Sequence, residues 1–294
     1  KNAKGDWKFH QGDICNPEVV ARLLREFQVD AVFNFAAESH VDRSISGASP
    51  FINTNIIGTF TLLQESVKWW KESEQKDFRY VQISTDEVFG DLGPTGHFTE
   101  ETPFKPHSPY SASKASADHL VHAWNHTYGL PTVTTHCSNN YGPRQYPEKL
   151  IPFMIRSALQ GKPLGVYGDG SNVRDWIYVT DHCEGILLAY EKGTVGEHYC
   201  FGGRSERSNL DLVQVLAGLL DEFNPRTEGS YKDTIQFVKD RAGHDRRYAI
   251  DDTRARKELG FKSTVTNFEE GLKLTVKWYL ENQDWMKTVL RSER

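Results

Sequence analysis

The sequence predicts an α/β fold, a doubly wound parallel sheet with helices on both faces and a smaller α/β lobe interleaved with its end. Three observations predict it. Strand-like and helix-like segments alternate through the first half of the chain, one strand-like segment (DAVFNFAA) is an almost unbroken apolar run, and the pattern loosens beyond Tyr141. Alternation calls for parallel pairing through helical crossovers. A parallel strand is covered on both faces, so its apolar residues need not alternate with polar ones.

Taken in order, residues 7–14 read as a strand and residues 17–27 as a helix, with Val20, Leu23, Leu24 and Phe27 at helical spacing. Residues 30–37 are the strand expected to be buried on both faces. A long helix covers about 50–70, its Trp69 and Trp70 expected in core or dimer packing, and residues 79–85 (RYVQIST) form the next strand. Residues 90–109 are rich in glycine and proline and have no period. A loop of that length in a compact domain is usually functional or disordered. Residues 110–128 read as a second long helix, with Ser108 as cap and Pro109 at its first position. A strand follows at 131–137. Beyond Tyr141, helices at 147–160, 179–191 and 210–223 mix with short strands at 165–167, 198–201 and 234–238. The expected division gives 1–142, 183–207 and 262–294 to the sheet domain, and 143–182 and 208–261 to the lobe, with Trp176 in the latter.

Composition sets bounds on function. The chain has 294 residues, 38% hydrophobic and 26% charged, with a formal net charge of −5. No basic run occurs, which argues against nucleic acid or an anionic membrane as the main partner. No stretch approaches the roughly 18 apolar residues of a membrane span, and the start KNAKGDWKFH has no apolar leader. Cys15, Cys137, Cys183 and Cys200 are far apart and form no C-x-x-C pair, so reduced thiols, a cytoplasmic location and no metal site are expected. The sequon Asn125-His126-Thr127 falls on a helix and reads as its surface. Gly168-Asp169-Gly170 lacks the third glycine of a phosphate loop, because position 173 is Val, and reads as a turn.

Two segments carry chemistry. In Tyr110-Ser111-Ala112-Ser113-Lys114 the tyrosine and lysine stand one helical turn apart, so phenol and ammonium share a face. A nearby cation favours phenolate and should lower the tyrosine pKa from about 10, giving a base for a hydroxyl proton. Alone, such a pair is usually plain helix surface. Upstream, Thr85-Asp86-Glu87 follows the strand RYVQIS at its carboxyl end, where open α/β sheets bind ligands. A solvated turn is the simpler reading of two adjacent acids; the Tyr110 helix that follows favours the functional one. Two carboxyls in one site cannot both ionise cheaply, so one is held as acid and the other as base.

Longer blocks extend these motifs. STDEVFGD, SPYSASKASADHLV, HCSNNYGPRQYPEKLIP, GDGSNVRDWIYVTDH and DRAGHDRRYAID, with AAESHVDRS at 36–44 and NTNIIGT at 53–59, resemble the dTDP-glucose 4,6-dehydratases of the extended short-chain dehydrogenase family from about Gly12 to the C-terminal helix. The resemblance implies a Rossmann-like sheet, a retained NAD and a three-step reaction on a nucleotide sugar. Tyr110 would deprotonate the C4 hydroxyl as hydride leaves C4, Glu87 would take the C5 proton, and Asp86, held protonated, would donate to the departing C6 hydroxyl. Thr85 would bond the sugar's O4. Related epimerases and decarboxylases carry no acid at the position of Asp86, and GDP-mannose dehydratases place serine there.

By the same resemblance, Asp13, Ile14, Phe35, Ala36, Ala37, Ser39, Thr54, Tyr110, Lys114 and Asn140 would line NAD. Ser39, Thr85, Asn139, Lys149, Leu150, Tyr167, Arg174, Asn209, Arg241 and His244 would hold the nucleotide sugar. Arg174 and Arg241 suit a pyrophosphate, since the guanidinium fork matches its oxygens, against the plainer reading of surface ion pairs to Asp175 and Asp240. A homodimer through the two long helices, closing a four-helix bundle, is expected as well. An epimerase, a dehydratase for another nucleotide sugar and a non-catalytic nucleotide-sugar binder are the alternatives.

One feature departs from the family. A dinucleotide fold opens with a strand, a glycine-rich turn and a helix whose N-terminus holds the pyrophosphate, and this sequence begins at what reads as the third strand. In the order 3-2-1-4-5-6 the first strand is central. Its removal would leave buried backbone groups unpaired at about 1–3 kcal/mol each. A preceding βαβ segment is therefore expected.

Overall fold

A computed structural model describes residues 6–73, 76–240 and 243–291. Helix α1 (Pro17–Glu26) starts where the Asn16 side chain accepts the N–H groups of Glu18 and Val19. Strand β1 (Ala31–Asn34) and the short helices α2 (Val41–Ser46) and α3 (Ser49–Phe51) follow, and α3 runs through a π-helical stretch, Ile52–Gly58, into α4 (Thr59–Ser73). The long helix expected at 50–70 thus contains a wider turn. Next come β2 (Arg79–Ile83), α5 (Pro109–Tyr128), β3 (Thr132–Cys137), β4 (Asn139–Tyr141) and α6 (Leu150–Leu159). The second half holds β5 (Leu164–Tyr167), β6 (Val173–Tyr178), α7 (Val179–Lys192), β7 (His198–Phe201), β8 (Glu206–Ser208), α8 (Asn209–Phe223), β9 (Ile235–Val238), α9 (Phe268–Glu281) and α10 (Gln283–Arg291).

The main sheet is parallel, in the order β1-β2-β3-β7, with Val32 opposite Tyr80, Val81 opposite Val133 and Thr135 opposite Tyr199. Its two faces carry different helices, as the doubly wound prediction requires. On one face Val20, Leu24, Leu63, Val67, Trp69, Tyr80 and Val121 form a core under α1, α4 and α5. Trp69 is buried there and donates its indole N–H to Val29 O at 2.7 Å. On the other face α7 covers β2 and β3, with Val133, Ala189, Tyr199 and Phe201 in the core.

Two strand expectations are corrected at the edge of this sheet. Residues 7–14 form no strand, and Trp7 and Phe9 are 68% and 79% exposed. An extended segment needs a hydrogen-bonded neighbour to become a strand, and this one finds no partner among the described residues. For the same reason β1 pairs on one side only and is half-buried, with Asn34 its one buried residue, rather than covered on both faces.

The lobe has a three-stranded sheet, β4-β6-β8, and a parallel pair, β5-β9. Its core joins Ile151, Ile155, Trp176, Leu212 and Leu216 to Phe268, Leu272, Val276, Tyr279 and Met286. The C-terminal helices, assigned from the sequence to the sheet domain, enter this core instead, α9 against α6 and α8, and α10 against α9. Residues 90–109 are an ordered loop. Phe98 is buried against Phe89 and Tyr248, and its backbone bonds Ala249 and Asp251 at 2.8 and 2.9 Å. Gly168 and Gly170 sit in a turn with φ of +56° and +74°. All four cysteines are free, and no helix among the described residues is long and apolar enough to cross a membrane.

Candidate active site

At the carboxyl end of β2 the chain enters a single 3-10 turn, Asp86–Phe89. Thr85 caps it in extended conformation, its Oγ1 accepting the Glu87 N–H at 3.3 Å. Val88 and Phe89 anchor the turn in a core with Phe98 and Tyr248. Gly90 ends it at φ +88°, and a Cβ there would lie 2.4 Å from Lys105 O. Asp86 is 2% exposed. Its Oδ1 accepts from Thr85 Oγ1 at 3.3 Å, while among the described residues no donor or acceptor reaches Oδ2. Burial, then the Glu87 charge beside it, push the Asp86 carboxyl well above the usual carboxylate range, and Arg174 opposes them only in part. The turn therefore favours the protonated form of Asp86, beside a second carboxyl group.

Helix α5 brings the other pair. Ser108 and Ser111 close a reciprocal capping box, with Pro109 in the first turn, so the helix starts immediately before Tyr110. Lys114, one turn on, is buried and donates Nζ to Ile83 O at 2.7 Å. Its ammonium thus ties the helix to the strand end that carries Thr85. The Thr85 hydroxyl acts on Tyr110 to favour the phenolate, against the larger opposing causes, and the ring packs edge-on against Phe51 at 6.3 Å.

The expected lowering of the Tyr110 pKa is corrected. Burial first, then the charges of Glu87 and Cys137, hold the phenol well above its ordinary value. Lys114 is directed to a backbone carbonyl, and burial of the phenol leads the shift. Burial also lowers the pKa of Lys114, with Asp118 resisting.

Arg174 stands at the back of this cluster, 5% exposed, its guanidinium 4.1 Å from the ring centre of Tyr248. It donates to the carbonyls of Val173 (2.8 Å) and Asp245 (2.9 Å). The plainer ion pair to Asp175 does not form, since that carboxylate accepts the N–H groups of Gly203 and Ser205. Arg174 is therefore a buried cation whose field reaches Asp86.

The remaining expected residues fall into two groups. Asp13 and Ile14 form a turn against the π-helical stretch that carries Thr54: Ile14 meets Gly58, and Cys15 Sγ donates to Asn53 O. Phe35, 60% exposed, Ala36 and Ala37 leave an uncovered shelf at the carboxyl end of β1, where Asn34 Oδ1 accepts the Ala36 N–H. Asn140 is fixed by His182, Nδ1 to Oδ1 at 2.9 Å. On the other side Lys149, the residue before α6, donates Nζ to Ser39 O at 2.7 Å and leads into Leu150. Tyr167 Oη donates to Asp42 at 3.3 Å, and its ring meets His244 edge-on at 6.2 Å. His244 pairs with Asp240 at 2.7 Å. Asn209 donates its N–H to Asn172 O, and Asn139 opens β4 opposite Trp176. Arg241 lies outside the described residues.

Sequence reasoning missed several neighbours. Tyr248 is buried, donates Oη to Asp245 at 2.5 Å and feels the Glu87 charge. Asp245 also meets His107 Nδ1 at 2.7 Å. Both Tyr248 and Asp245 lie in DRAGHDRRYAID, but no spacing rule ties that block to residues 85–87. Ser84, Asp118 and His136 form a second buried set, and only the i+4 step from Lys114 to Asp118 was visible in the sequence.

The geometry can be set beside known proteins. The family profile described as GDP-mannose 4,6 dehydratase matches residues 1–275. A dTDP-glucose 4,6-dehydratase of Xanthomonas campestris pv. campestris (strain B100) is 56% identical over 97% of this chain and 82% of its own length. One from Neisseria meningitidis serogroup B is 52% identical over 97% and 82%. Among solved structures, the dTDP-glucose 4,6-dehydratase DesIV of Streptomyces venezuelae, with NAD bound, aligns at TM-score 0.85 and 45% identity, covering 95% of this chain and 81% of that one. A UDP-glucose 4-epimerase of Thermotoga maritima aligns at 0.82 with 28% identity, covering 94% and 85%.

Proposed function

The chain belongs to the nucleotide-sugar 4,6-dehydratase family, and from that membership we infer that it is a dTDP-glucose 4,6-dehydratase, an NAD-dependent lyase forming dTDP-4-keto-6-deoxyglucose and water. One observation carries the reading within the fold: Asp86, a carboxyl 2% exposed beside Glu87, which burial pushes toward its protonated form. An epimerase has no use for an acid there, because no hydroxyl departs.

The residues present suit the nicotinamide half of NAD. The Phe35–Ala37 shelf leaves open space at the carboxyl end of β1, the place where α/β sheets bind dinucleotides, and Thr54, Asn140, Lys114 and Tyr110 surround it by the family pattern. Bound there, NAD would supply hydride acceptance at C4 and hydride return at C6, and a positive charge that would draw the Tyr110 pKa down.

In the reaction Tyr110 would take the C4 hydroxyl proton with Thr85 holding O4. The new ketone acidifies C5–H, which Glu87 would remove. Asp86 would protonate the C6 oxygen through Oδ2, which has no partner among the described residues, and water departs. Glu87 would return its proton to C5, leaving a 4-keto-6-deoxy sugar. Ser39, Asn139, Lys149, Leu150, Tyr167, Asn209, Arg241 and His244 would hold the nucleotide. Arg174, its donors engaged by carbonyls, would contribute chiefly charge near the acid pair. The enzyme would be cytoplasmic and a homodimer built on α4 and α5.

The test is full-length protein with dTDP-glucose, the 4-keto product read by its alkaline absorbance, and UDP- and GDP-sugars in parallel. Asp86→Asn should still oxidise C4 and accumulate reduced nicotinamide, with water loss slowed about 10²–10⁴-fold. Equal turnover of UDP-glucose, or unslowed water loss in Asp86→Asn, would refute the assignment.

A further inference from the structure

Below the catalytic cluster lies a buried polar set to which the reaction as derived assigns no role. Asp118 stands on α5 one turn beyond Lys114. Its Oδ2 accepts Ser84 Oγ at 2.5 Å and contacts His136 Nε2 at 3.2 Å, while no donor among the described residues reaches Oδ1. Asp118 and Ser84 are 5% and 4% exposed, and His136 is fully buried. Each partner comes from a different element: Ser84 from the turn that begins Thr85-Asp86-Glu87, His136 from β3, Asp118 from the helix of Tyr110 and Lys114. A solvent-facing carboxylate would need none of them. A buried one is costly unless it is hydrogen-bonded and faces a cation.

We propose that Asp118 is a positioning residue of the dehydratase reaction, fastening the helix of Tyr110 and Lys114 to the strand end of Thr85–Glu87 through Ser84, and serving Lys114 as its buried counter-charge. The proposal rests on the function inferred above. Lys114 needs such a partner because burial drives it toward the neutral amine, and Asp118 acts against that drift. The groups facing the pair come from every packed element. Lys114 feels the charges of Asp118 and Cys137. Tyr110 feels Glu87, Cys137 and Asp86. Asp118 contacts Ser84 and His136, its charge reaches Tyr80 and His198, and the His136 and His198 rings lie 5.2 Å apart. Of these, only Asp118 holds Lys114 as an ammonium by a full charge on its own helix.

The experiment uses the NAD-loaded full-length enzyme in the Asp86→Asn background, where reduced nicotinamide should accumulate and C4 oxidation can be read without the elimination step. Without Asp118's charge, Lys114 loses its proton at lower pH, so oxidation should fail earlier as pH rises. Adding Asp118→Asn should move the alkaline limit of C4 oxidation down by about one pH unit, and Asp118→Glu should restore it. If Asp118→Asn does not retain NAD, Ser84→Ala, which loosens the fastening and keeps the charge, should slow C4 oxidation with the limit unmoved, and an unchanged rate in that variant would overturn the fastening. In Asp118→Asn itself, a uniform loss of rate with the limit unmoved would show a structural role only and overturn the proposal. Failure of Asp86→Asn itself to reduce NAD would instead overturn the assigned reaction.

Discussion

At the scale of single residues, the site is governed by burial acting on charge. Asp86 and Tyr110 are both held protonated, Lys114 is drawn toward neutrality, and in each the leading cause is removal from water. The same physics acts on His182, which fixes Asn140 and is fully enclosed, its Nε2 without a partner among the described residues. Burial lowers its pKa from 6.5 to about 4. In the unfolded chain the ring binds a proton below 6.5, and in the folded chain it resists until about 4. The unfolded state therefore holds more protons in that window, and stability, full above it, falls as pH drops through it. The expected loss is about 1.4 kcal/mol per pH unit and about 3 kcal/mol over the whole window. Urea unfolding at neutral and acidic pH measures it. His182→Gln should remove this contribution, and an unchanged slope in that variant would place the acid sensitivity elsewhere.

At the scale of elements, the site depends on how segments begin and end. Helix α5 starts at Pro109, immediately before Tyr110, because Ser108 and Ser111 cap each other, a feature the sequence already announced in Ser108-Pro109. The catalytic turn ends at Gly90 for a reason no local pattern reveals, namely the approach of the Lys105 carbonyl from the long loop. Gly90→Ala would combine the strain of φ +88° with a Cβ 2.4 Å from that oxygen. It should cost more than about 2 kcal/mol and, by displacing Asp86 and Glu87, lower kcat on the order of 10²-fold. Gly96→Ala is the control: φ is +87°, but nothing lies within 4 Å of the added methyl. It should cost about 1–2 kcal/mol and leave kcat alone. Thermal melts and steady-state kinetics on the two variants separate strain from collision. A normal kcat in Gly90→Ala would mean that the loop yields and the turn does not depend on it.

At the scale of the whole molecule, what was legible in the sequence was whatever a segment determines by itself. The helix at 110–128 and the strands at 131–137 and 198–201 came out within two residues, because their periodicity and caps are local. Residues 7–14 misled, since a strand pattern is only half of a strand and the pairing partner was not among the described residues. The C-terminal helices misled because an apolar stripe does not say which core it enters. In the site, Thr85 through Lys114 were legible as motifs, while the rise of the Tyr110 pKa came first from burial and then from Glu87 and Cys137 on two other elements, none of which a local pattern shows. A similar incompleteness remains on the outer face of α4 and α5. Phe60 stacks edge-on with Trp124 at 5.7 Å, Trp124 packs on Tyr128 at 5.4 Å, and Phe60 and Tyr128 are 41% and 44% exposed. Ile52 and Ile57 lie exposed on the preceding turns. A contiguous aromatic and aliphatic ridge on two packed helices is more apolar than solvent favours, and the same ridge on a second copy would cover it with four helices around one axis. Phe60→Glu puts a charge at the centre of that contact and should convert a dimer into monomer in sedimentation equilibrium, raising its apparent Kd by at least about 10²-fold, since an unpaired buried charge costs several kcal/mol. If the variant sediments with the same mass as the wild type, the ridge is not the contact between copies.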